Sequence, residues 1–407
     1  LQANITRTAK DQAERLHPED VWAEVIHRLQ GQARQRGQFA GVHIAPDTNG
    51  DLPDLEEARL VILHPKVSHK RGTESPAKQF AHAATERRGT ANRTHRNTLV
   101  YLAADEARLE ELDAATRDYL GWKHVLANEA DLDLTQNQKN QATQRQAQAD
   151  STVAARLLQT FTWALVPAQP DPGAPFVLRE VKVEGQSESL AERVSKRLGN
   201  DGDLSVRQAA ATIRLALNKV PQIWKDGHVA LGTLWGLYTQ YPYLPRLRDR
   251  TVLEEGILDQ PLLWSHDAFA LATAYDETTG RYIGLWTRDD NATPPVPTDS
   301  LLLVRPDVAL AQIKATEPPT PRGIEKDETP ETEEAVKPPV EPRRGVVDFG
   351  YPNAKTRFFG VKTLNSDKVA LDFKNVAEEV LAHLRSGDTN LTVRIEIEAI
   401  DGAGFDE

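Results

Sequence analysis

Residues 59–65 read RLVILHP and residues 97–102 read NTLVYL. Both are continuous apolar runs rather than alternations, which is typical of strands buried on both faces of a parallel sheet. The second run leads into a predicted helix whose apolar residues recur at steps of three and four: Leu109, Leu112, Ala115, Tyr119, Trp122 and Leu126. A strand followed by a helix predicts an α/β fold with a parallel sheet, which we assign to residues 1–166.

Two further helices are predicted in the same part of the chain. Pro18 suits the first turn of a helix, and apolar residues follow it at helical spacing. Residues 136–148 contain six glutamines, a composition compatible with disorder or with a long solvated helix. The helical register of the apolar residues at 153–161 favours the helix and predicts that it continues through Phe161.

Residues 176–314 are predicted to form a mostly helical domain. Helical spacing recurs around Leu190, Ile213, Trp235 and Leu253, and a hairpin at 268–286 and a strand at 300–304 follow. Helix, turn, helix and then a hairpin is the order of a winged helix, so we expect a winged-helix-like domain.

The rest of the chain predicts a linker and a small module. Residues 315–344 hold seven prolines and eight acidic residues with almost nothing apolar, which predicts a disordered linker. Residues 345–407 show a strand pattern, an amphipathic helix pattern and an alternating strand pattern, and therefore predict a small β-α-β module.

Composition excludes several classes of protein. The 407 residues include 49 Lys and Arg against 60 Asp and Glu, and a net charge of −11 argues against a uniform nucleic-acid coat. The lack of Cys removes disulfides, Cys-ligated metals and thiol nucleophiles. No apolar run approaches the roughly 18 residues of a membrane span, so we expect a cytoplasmic protein without membrane contact. The absence of Met, with Leu1 at the start, predicts a fragment of a longer protein.

Catalytic motifs are missing from the sequence. No Gly-Lys dipeptide occurs, so the chain has no phosphate-loop lysine. It also lacks His-Glu-x-x-His, a Gly-x-Ser-x-Gly elbow and a Gly-x-Gly-x-x-Gly turn. No catalytic or metal-binding residue is predicted, and whether the fragment is an enzyme stays open.

The best positive signal is a basic segment between the two predicted strands. Residues 66–96 contain eight basic and two acidic residues, a net charge of +6. The candidate phosphate-binding residues in it are Lys66, Lys70, Arg71, Arg87, Arg88, Arg93 and Arg96. They are candidates for contact with the phosphates of a nucleic acid or a nucleotide. Because a run of charge is weak evidence by itself, the favoured interpretation is a solvated surface segment that pairs with the acidic remainder.

Three more candidates, Arg246, Arg248 and Arg250, precede the second helix of the predicted winged helix and suit contact with a DNA backbone. That helix carries three acids that would repel phosphate, namely Glu254, Glu255 and Asp259. We therefore expect this domain to pack or to contact protein rather than to read bases. The nearby aromatic residues are expected mainly in the core, with base stacking as the alternative: Trp235, Tyr238, Tyr241, Tyr243 and Trp264.

His64 and Asp105 follow the two predicted strands, at the edge where ligands bind in open α/β sheets. For His64 we expect a hydrogen-bonded structural role rather than that of a ligand or base. For Asp105 we expect a cap on the next helix.

Six strings of residues carry a resemblance to a known family. They are residues 4–7 (NITR), 51–65 (DLPDLEEARLVILHP), 96–105 (RNTLVYLAAD), 117–122 (RDYLGW), 243–247 (YLPRL) and 281–285 (RYIGL). Together they resemble the C-terminal part of a family of large prokaryotic ATP-binding proteins with a domain of unknown function. Members occur in phage-defence islands beside DNA methyltransferases and helicases, and they are akin to the ATPase of phage-growth-limitation and BREX-type systems.

The resemblance implies an AAA-like ATPase as the parent protein. The family's phosphate loop lies upstream of the matching part, so ATP and Mg²⁺ are implied for the parent and no cofactor is implied for this fragment. The implied function is a non-catalytic regulatory or interaction region that contacts DNA or partner defence proteins such as a DNA methyltransferase. A metal-dependent nuclease, or another enzyme acting on nucleic acid, is the alternative.

Overall fold

The structure is a computed structural model that describes residues 4–185, 189–290 and 292–316. The chain divides into two compact units, Leu1–Arg322 and Gly323–Glu407, and the described residues all belong to the first. The β-α-β module predicted at 345–407 lies outside the described residues, as does the predicted linker apart from Ala315 and Thr316.

The first part of this unit is a five-stranded sheet with helices. Its elements are α1 (Ile5–Arg15), α2 (Pro18–Gln32), β1 (Gly41–Ile44), β2 (Arg59–Ile62), α3 (Pro76–Glu86), β3 (Arg87–Arg88), β4 (Ala91–Asn92), β5 (Leu99–Ala104), α4 (Leu109–Ala127), α5 (Gln136–Thr160), β6 (Phe161–Ala168), β7 (Val177–Lys182) and α6 (Leu190–Asn200). The sheet order is β1-β2-β5-β6-β7, in which the first three strands are parallel and the last two antiparallel. The predicted α/β class is confirmed, and the sheet is mixed rather than wholly parallel.

Apolar cores cover both faces of the sheet. One core packs Leu60 and Val100 against α2, α4, α5 and α6. The other packs Val61 and Tyr101 against α3. Neighbouring residues of a strand point to opposite faces, so burial of both faces requires the continuous apolar runs seen in the sequence.

The glutamine-rich segment is helical, as predicted, but its end differs from the prediction. Helix α5 runs from Gln136 to Thr160, and Phe161 begins strand β6 instead of continuing the helix. Residues 161–166 are all buried because they pair with β5 on one side and β7 on the other. A fully buried strand has the same apolar content as a buried helix, and only its pairing distinguishes the two.

The second part of the unit consists of short helices around a small sheet. Its elements are α7 (Ala210–Asn218), β8 (His228–Ala230), α8 (Leu231–Gln240), α9 (Arg250–Leu258), α10 (Trp264–Asp267), β9 (Ala270–Ala272), β10 (Ala274–Asp276), β11 (Arg281–Ile283), β12 (Leu302–Val304) and α11 (Pro306–Thr316). Strand β12 lies between β8 and β9, antiparallel to both, while β10 and β11 form a separate hairpin. The sequence patterns miss β8, because three residues carry no measurable period.

Asn97 and Arg246 join the two parts. The Asn97 amide donates to the carbonyls of Tyr238 and Leu244, at 2.9 and 3.1 Å. The Arg246 guanidinium donates to the carbonyls of Asn97 and Pro167, at 3.0 and 2.9 Å. The strand entry before β5 is therefore held against the segment that follows α8.

Candidate functional site

The ten predicted basic residues fall into three groups. Arg93 and Arg246 are buried, with 3% and 4% of their surfaces exposed. Arg248 and Arg250 form ion pairs with carboxylates. The others are exposed or half-exposed, and a surface contact with phosphate can rest only on them: Lys66, Lys70, Arg71, Arg87, Arg88 and Arg96.

Arg93 is buried, and its guanidinium forms hydrogen bonds with backbone carbonyls. Its Nε donates to the Ala84 carbonyl at 2.7 Å, and its Nη groups donate to the carbonyls of Leu52 and Pro53 at 2.9 and 3.0 Å. Burial lowers the pKa of this guanidinium. Arg93 therefore holds the 52–53 loop against the end of α3, and its donors are already occupied.

Arg87 and Arg88 form β3, the first strand of a short hairpin beyond α3. Gly89 turns the chain with a φ of 60°, and residues 87–92 are all exposed. Neither arginine forms an ion pair with a carboxylate among the described residues. A cleft of about 390 Å³ opens beside the hairpin, and its lining includes Glu86, Arg87, Asn92, Thr94, Arg96 and Gln240.

Arg96 lies against a pair of tyrosines. Its guanidinium carbon is 6.0 Å from the centre of the Tyr241 ring. That ring stacks on Tyr243, with centres 5.2 Å apart and 23° between the planes. Both tyrosines are half-exposed, unlike Trp235 and the other predicted core aromatics, which are buried.

The predicted basic segment is split by α3 into two surfaces. The hairpin with Arg87 and Arg88 follows the last residue of α3, whereas Lys66, Lys70 and Arg71 precede its first. The helix has 11 residues, and a rise of 1.5 Å for each places its ends about 16 Å apart. The two clusters do not form one patch, which spacing in the sequence alone does not show.

Buried His69 ties the loop with Lys66 and Lys70 to the sheet. Its Nδ1 lies 2.7 Å from Ser75 Oγ, and its Nε2 lies 3.4 Å from a carboxylate oxygen of Glu180. Ser75 Oγ is buried and also accepts the backbone N–H of Lys78 at the start of α3. Serine, histidine and glutamate have the composition of a hydrolytic triad, but here they fix the backbone and present no nucleophile to solvent.

We expect the protein to lose stability as the pH falls below about 6.5, partly through His69. Burial lowers the pKa of His69 in the fold, so the unfolded chain binds a proton that the folded chain does not. The stabilisation that neutral His69 gives to the fold is complete above the ordinary histidine pKa of about 6.5. It is lost as the pH falls from that value through the lower pKa of His69 in the folded protein. The variant His69→Gln should reduce the pH slope of the unfolding free energy by up to about 1.4 kcal/mol per pH unit.

Urea unfolding between about pH 5 and pH 7.5 measures this slope. The exposed His17 provides the control variant His17→Gln. Burial also lowers the pKa of His43 and of His64, so part of the slope should survive in His69→Gln. An equal reduction of the slope in both variants would contradict the role given to His69.

The two residues after the predicted strands form local hydrogen bonds with the backbone. His64 Nδ1 accepts the backbone N–H of Lys66 at 3.0 Å. Asp105 accepts the backbone N–H of Ala107 at 3.1 Å and caps the short helical turn after β5. Within the described ranges, no group of three or more acidic or histidine side chains could hold a metal ion.

Comparison with known proteins identifies no relative of this chain. No protein-family model, no curated protein and no solved structure matches it. In the parts of the chain that the structure describes, no helix combines the length and the apolar character needed to cross a bilayer.

Proposed function

We propose that this chain is a non-catalytic, DNA-contacting region of a larger ATP-dependent phage-defence protein. The observation that carries the DNA contact is the pair Arg87 and Arg88, exposed on the β3–β4 hairpin beside a cleft that Arg96 also lines; the phage-defence parent protein rests on the family resemblance of the sequence. Neighbouring guanidinium groups bind phosphate oxygens through charge-assisted hydrogen bonds. Since Arg93 anchors the chain next to the hairpin, little further ordering is needed on binding.

The topology of the second part supports a winged-helix-like domain. After α7 and β8 come three helices, α8 to α10, and then β9, the β10–β11 hairpin and β12, so that helices are followed by a hairpin as in a winged helix. Its helix α9 would face a major groove, yet it carries Glu254 and Glu255, which repel phosphate. Arg250 is paired with Glu254 and Asp299. We therefore assign this part to contacts with partner defence proteins, such as a DNA methyltransferase, rather than to base reading.

We expect binding to a duplex of about 20 base pairs to weaken steeply with salt. The double variant Arg87→Ala/Arg88→Ala should lower the slope of log K against log salt by about 1.8, because each neutralised phosphate contributes about 0.9. Fluorescence anisotropy over a salt series measures both slopes. The charge-matched control is Arg34→Ala/Arg36→Ala, which removes two exposed arginines from the segment after α2 and should keep the parent slope.

Two results would overturn the proposal. One is the absence of DNA binding at low salt, to a duplex and to a single strand alike. The other is an equal loss of slope in the two double variants, because the contact would then depend on overall charge rather than on the hairpin.

A further inference from the structure

We propose that the cleft beside the β3–β4 hairpin binds an unpaired nucleotide, so that single-stranded nucleic acid is the preferred ligand of this surface. The inference rests on the proposed nucleic-acid contact and adds that the preferred nucleic acid is single-stranded rather than duplex. It depends on planar groups next to the exposed arginines, which a contact with a duplex backbone alone does not require.

The planar groups are Arg96, Tyr241 and Tyr243. The Arg96 guanidinium carbon lies 6.0 Å from the centre of the Tyr241 ring, and Tyr241 stacks on Tyr243, so the three planar groups are contiguous; we call them the column. All three are half-exposed rather than buried. Aromatic rings and guanidinium planes are the groups on which proteins stack unpaired bases.

The column is held in place by the backbone around it. Tyr241 is the C-cap residue that follows α8, and its N–H donates to the Leu237 carbonyl at 3.0 Å. The N–H of Leu244 donates back to the Tyr241 carbonyl at 3.1 Å, and Pro242 lies between the two rings in sequence. The carbonyl of Leu244 itself accepts a hydrogen bond from the buried side-chain amide of Asn97. The backbone that carries the two rings is therefore held in place before a ligand arrives, which favours binding.

Of the three planar groups, Arg96 is the one that lines the cleft, and the size of the cleft suits one nucleotide. Its volume of about 390 Å³ is at the lower end of the range of roughly 300–1,000 Å³ typical of small-ligand sites. Arg87 and Arg96 supply positive charge for a phosphate, while Asn92, Thr94 and Gln240 supply hydrogen-bonding groups for a base or sugar. The lining also contains one acidic residue, Glu86, and a carboxylate oxygen of Glu86 lies 3.4 Å from Nδ1 of His82.

Base pairing makes a duplex a poorer ligand for this surface than a single strand. In a duplex the faces of the bases are covered by their neighbours, so neither tyrosine nor guanidinium can stack on them without unstacking the helix. A single strand exposes those faces at no such cost. A free mononucleotide has the same base and phosphate chemistry, but it lacks the neighbouring phosphates that Arg87 and Arg88 would bind.

Anisotropy with fluorescent oligothymidylate of about 12 nucleotides tests the inference, with a duplex of the same length and thymidine monophosphate as competitors. The parent protein should bind the single strand more tightly than the duplex, and the mononucleotide should compete weakly. Tyr241→Ala should weaken single-strand binding by roughly 5- to 100-fold, and Tyr241→Phe should stay within about twofold of the parent. Arg96→Lys, which keeps the charge but loses the plane, should also lose the preference for the single strand.

The matched control is Tyr275→Ala, at a tyrosine exposed on the β10–β11 hairpin away from the cleft. It should leave single-strand affinity unchanged. Equal affinities for single strand and duplex in the parent would overturn the inference, as would a correctly folded Tyr241→Ala that keeps full single-strand affinity. Either result, combined with the predicted salt effect of Arg87→Ala/Arg88→Ala on duplex binding, would leave the proposed function standing. Loss of binding to both forms at low salt would remove both.

Discussion

Replacing Arg246 by alanine is expected to lower the free energy of unfolding by about 3–5 kcal/mol. The guanidinium is buried and donates to three backbone carbonyls, those of Asn97, Asp203 and Pro167, at 3.0, 3.2 and 2.9 Å. Burial lowers its pKa to about 10, so it stays charged at neutral pH. Without it, two buried acceptors and one half-buried acceptor lose their donor, and a cavity opens where the two parts of the unit meet.

Urea unfolding followed by circular dichroism measures this loss. Arg246→Lys should recover only part of the stability, because one ammonium group cannot reach three carbonyls in the way a guanidinium fork does. Arg248→Ala is the control: that side chain is 38% exposed and pairs with Asp249, so its loss should cost less than about 1 kcal/mol. Similar losses for Arg246→Ala and Arg248→Ala would refute the structural role of Arg246.

Gly121→Ala is expected to destabilise the protein by about 1–3 kcal/mol, although alanine is the better helix former. Helix α4 crosses α1 at Gly121, and a Cβ there would collide with the backbone carbonyl of Ala9. Helix α1 cannot move away freely, because its buried Ile5 packs in the same core as Trp122. Arg117 also holds the end of α1 by donating to the carbonyls of Ala13 and Leu16, at 3.2 and 2.7 Å.

The same substitution elsewhere should have the opposite sign. Gly31 lies in α2, and a Cβ at that position would meet nothing within 4 Å. Gly31→Ala is therefore expected to raise the free energy of unfolding by up to about 1 kcal/mol, through helix propensity alone. Denaturation of both variants under one set of conditions compares them directly. A gain in stability for Gly121→Ala would mean that α1 does not pack on α4 as described.

Part of the candidate site could be predicted from the sequence. The excess of basic residues at 66–96 is a local property, and it pointed to the region that contains Arg87, Arg88 and Arg96. The sequence predicts the tyrosines mainly in the core, since most aromatic residues are buried, and the half-exposed pair Tyr241 and Tyr243 departs from that expectation. Its only sequence signal is the Tyr-Pro-Tyr stretch, where proline prevents a regular helix.

Four of the six sequence strings that carry the family resemblance lie at contacts between distant parts of the chain. Residues 4–7 begin α1 and residues 117–122 lie on α4, and Gly121 is where these helices meet. The 51–65 string contains strand β2, and the carbonyls of its Leu52 and Pro53 accept hydrogen bonds from the Arg93 guanidinium. The 243–247 string contains Arg246. These strings thus mark places where distant parts of the chain are held together.

Local apolar patterns are enough to predict the α/β class, the strands β2 and β5 and the long helix α5, because each depends on residues that are close in sequence. The antiparallel strands β6 and β7 depend on pairing across the sheet, which no local pattern records. The roles of the arginines also require the tertiary structure. Arg246 donates to a carbonyl 149 residues away and Arg93 to one 41 residues away, whereas Arg87 and Arg88 have no such partners among the described residues. Whether a guanidinium supports the fold or faces a ligand is decided by the acceptors that folding brings to it.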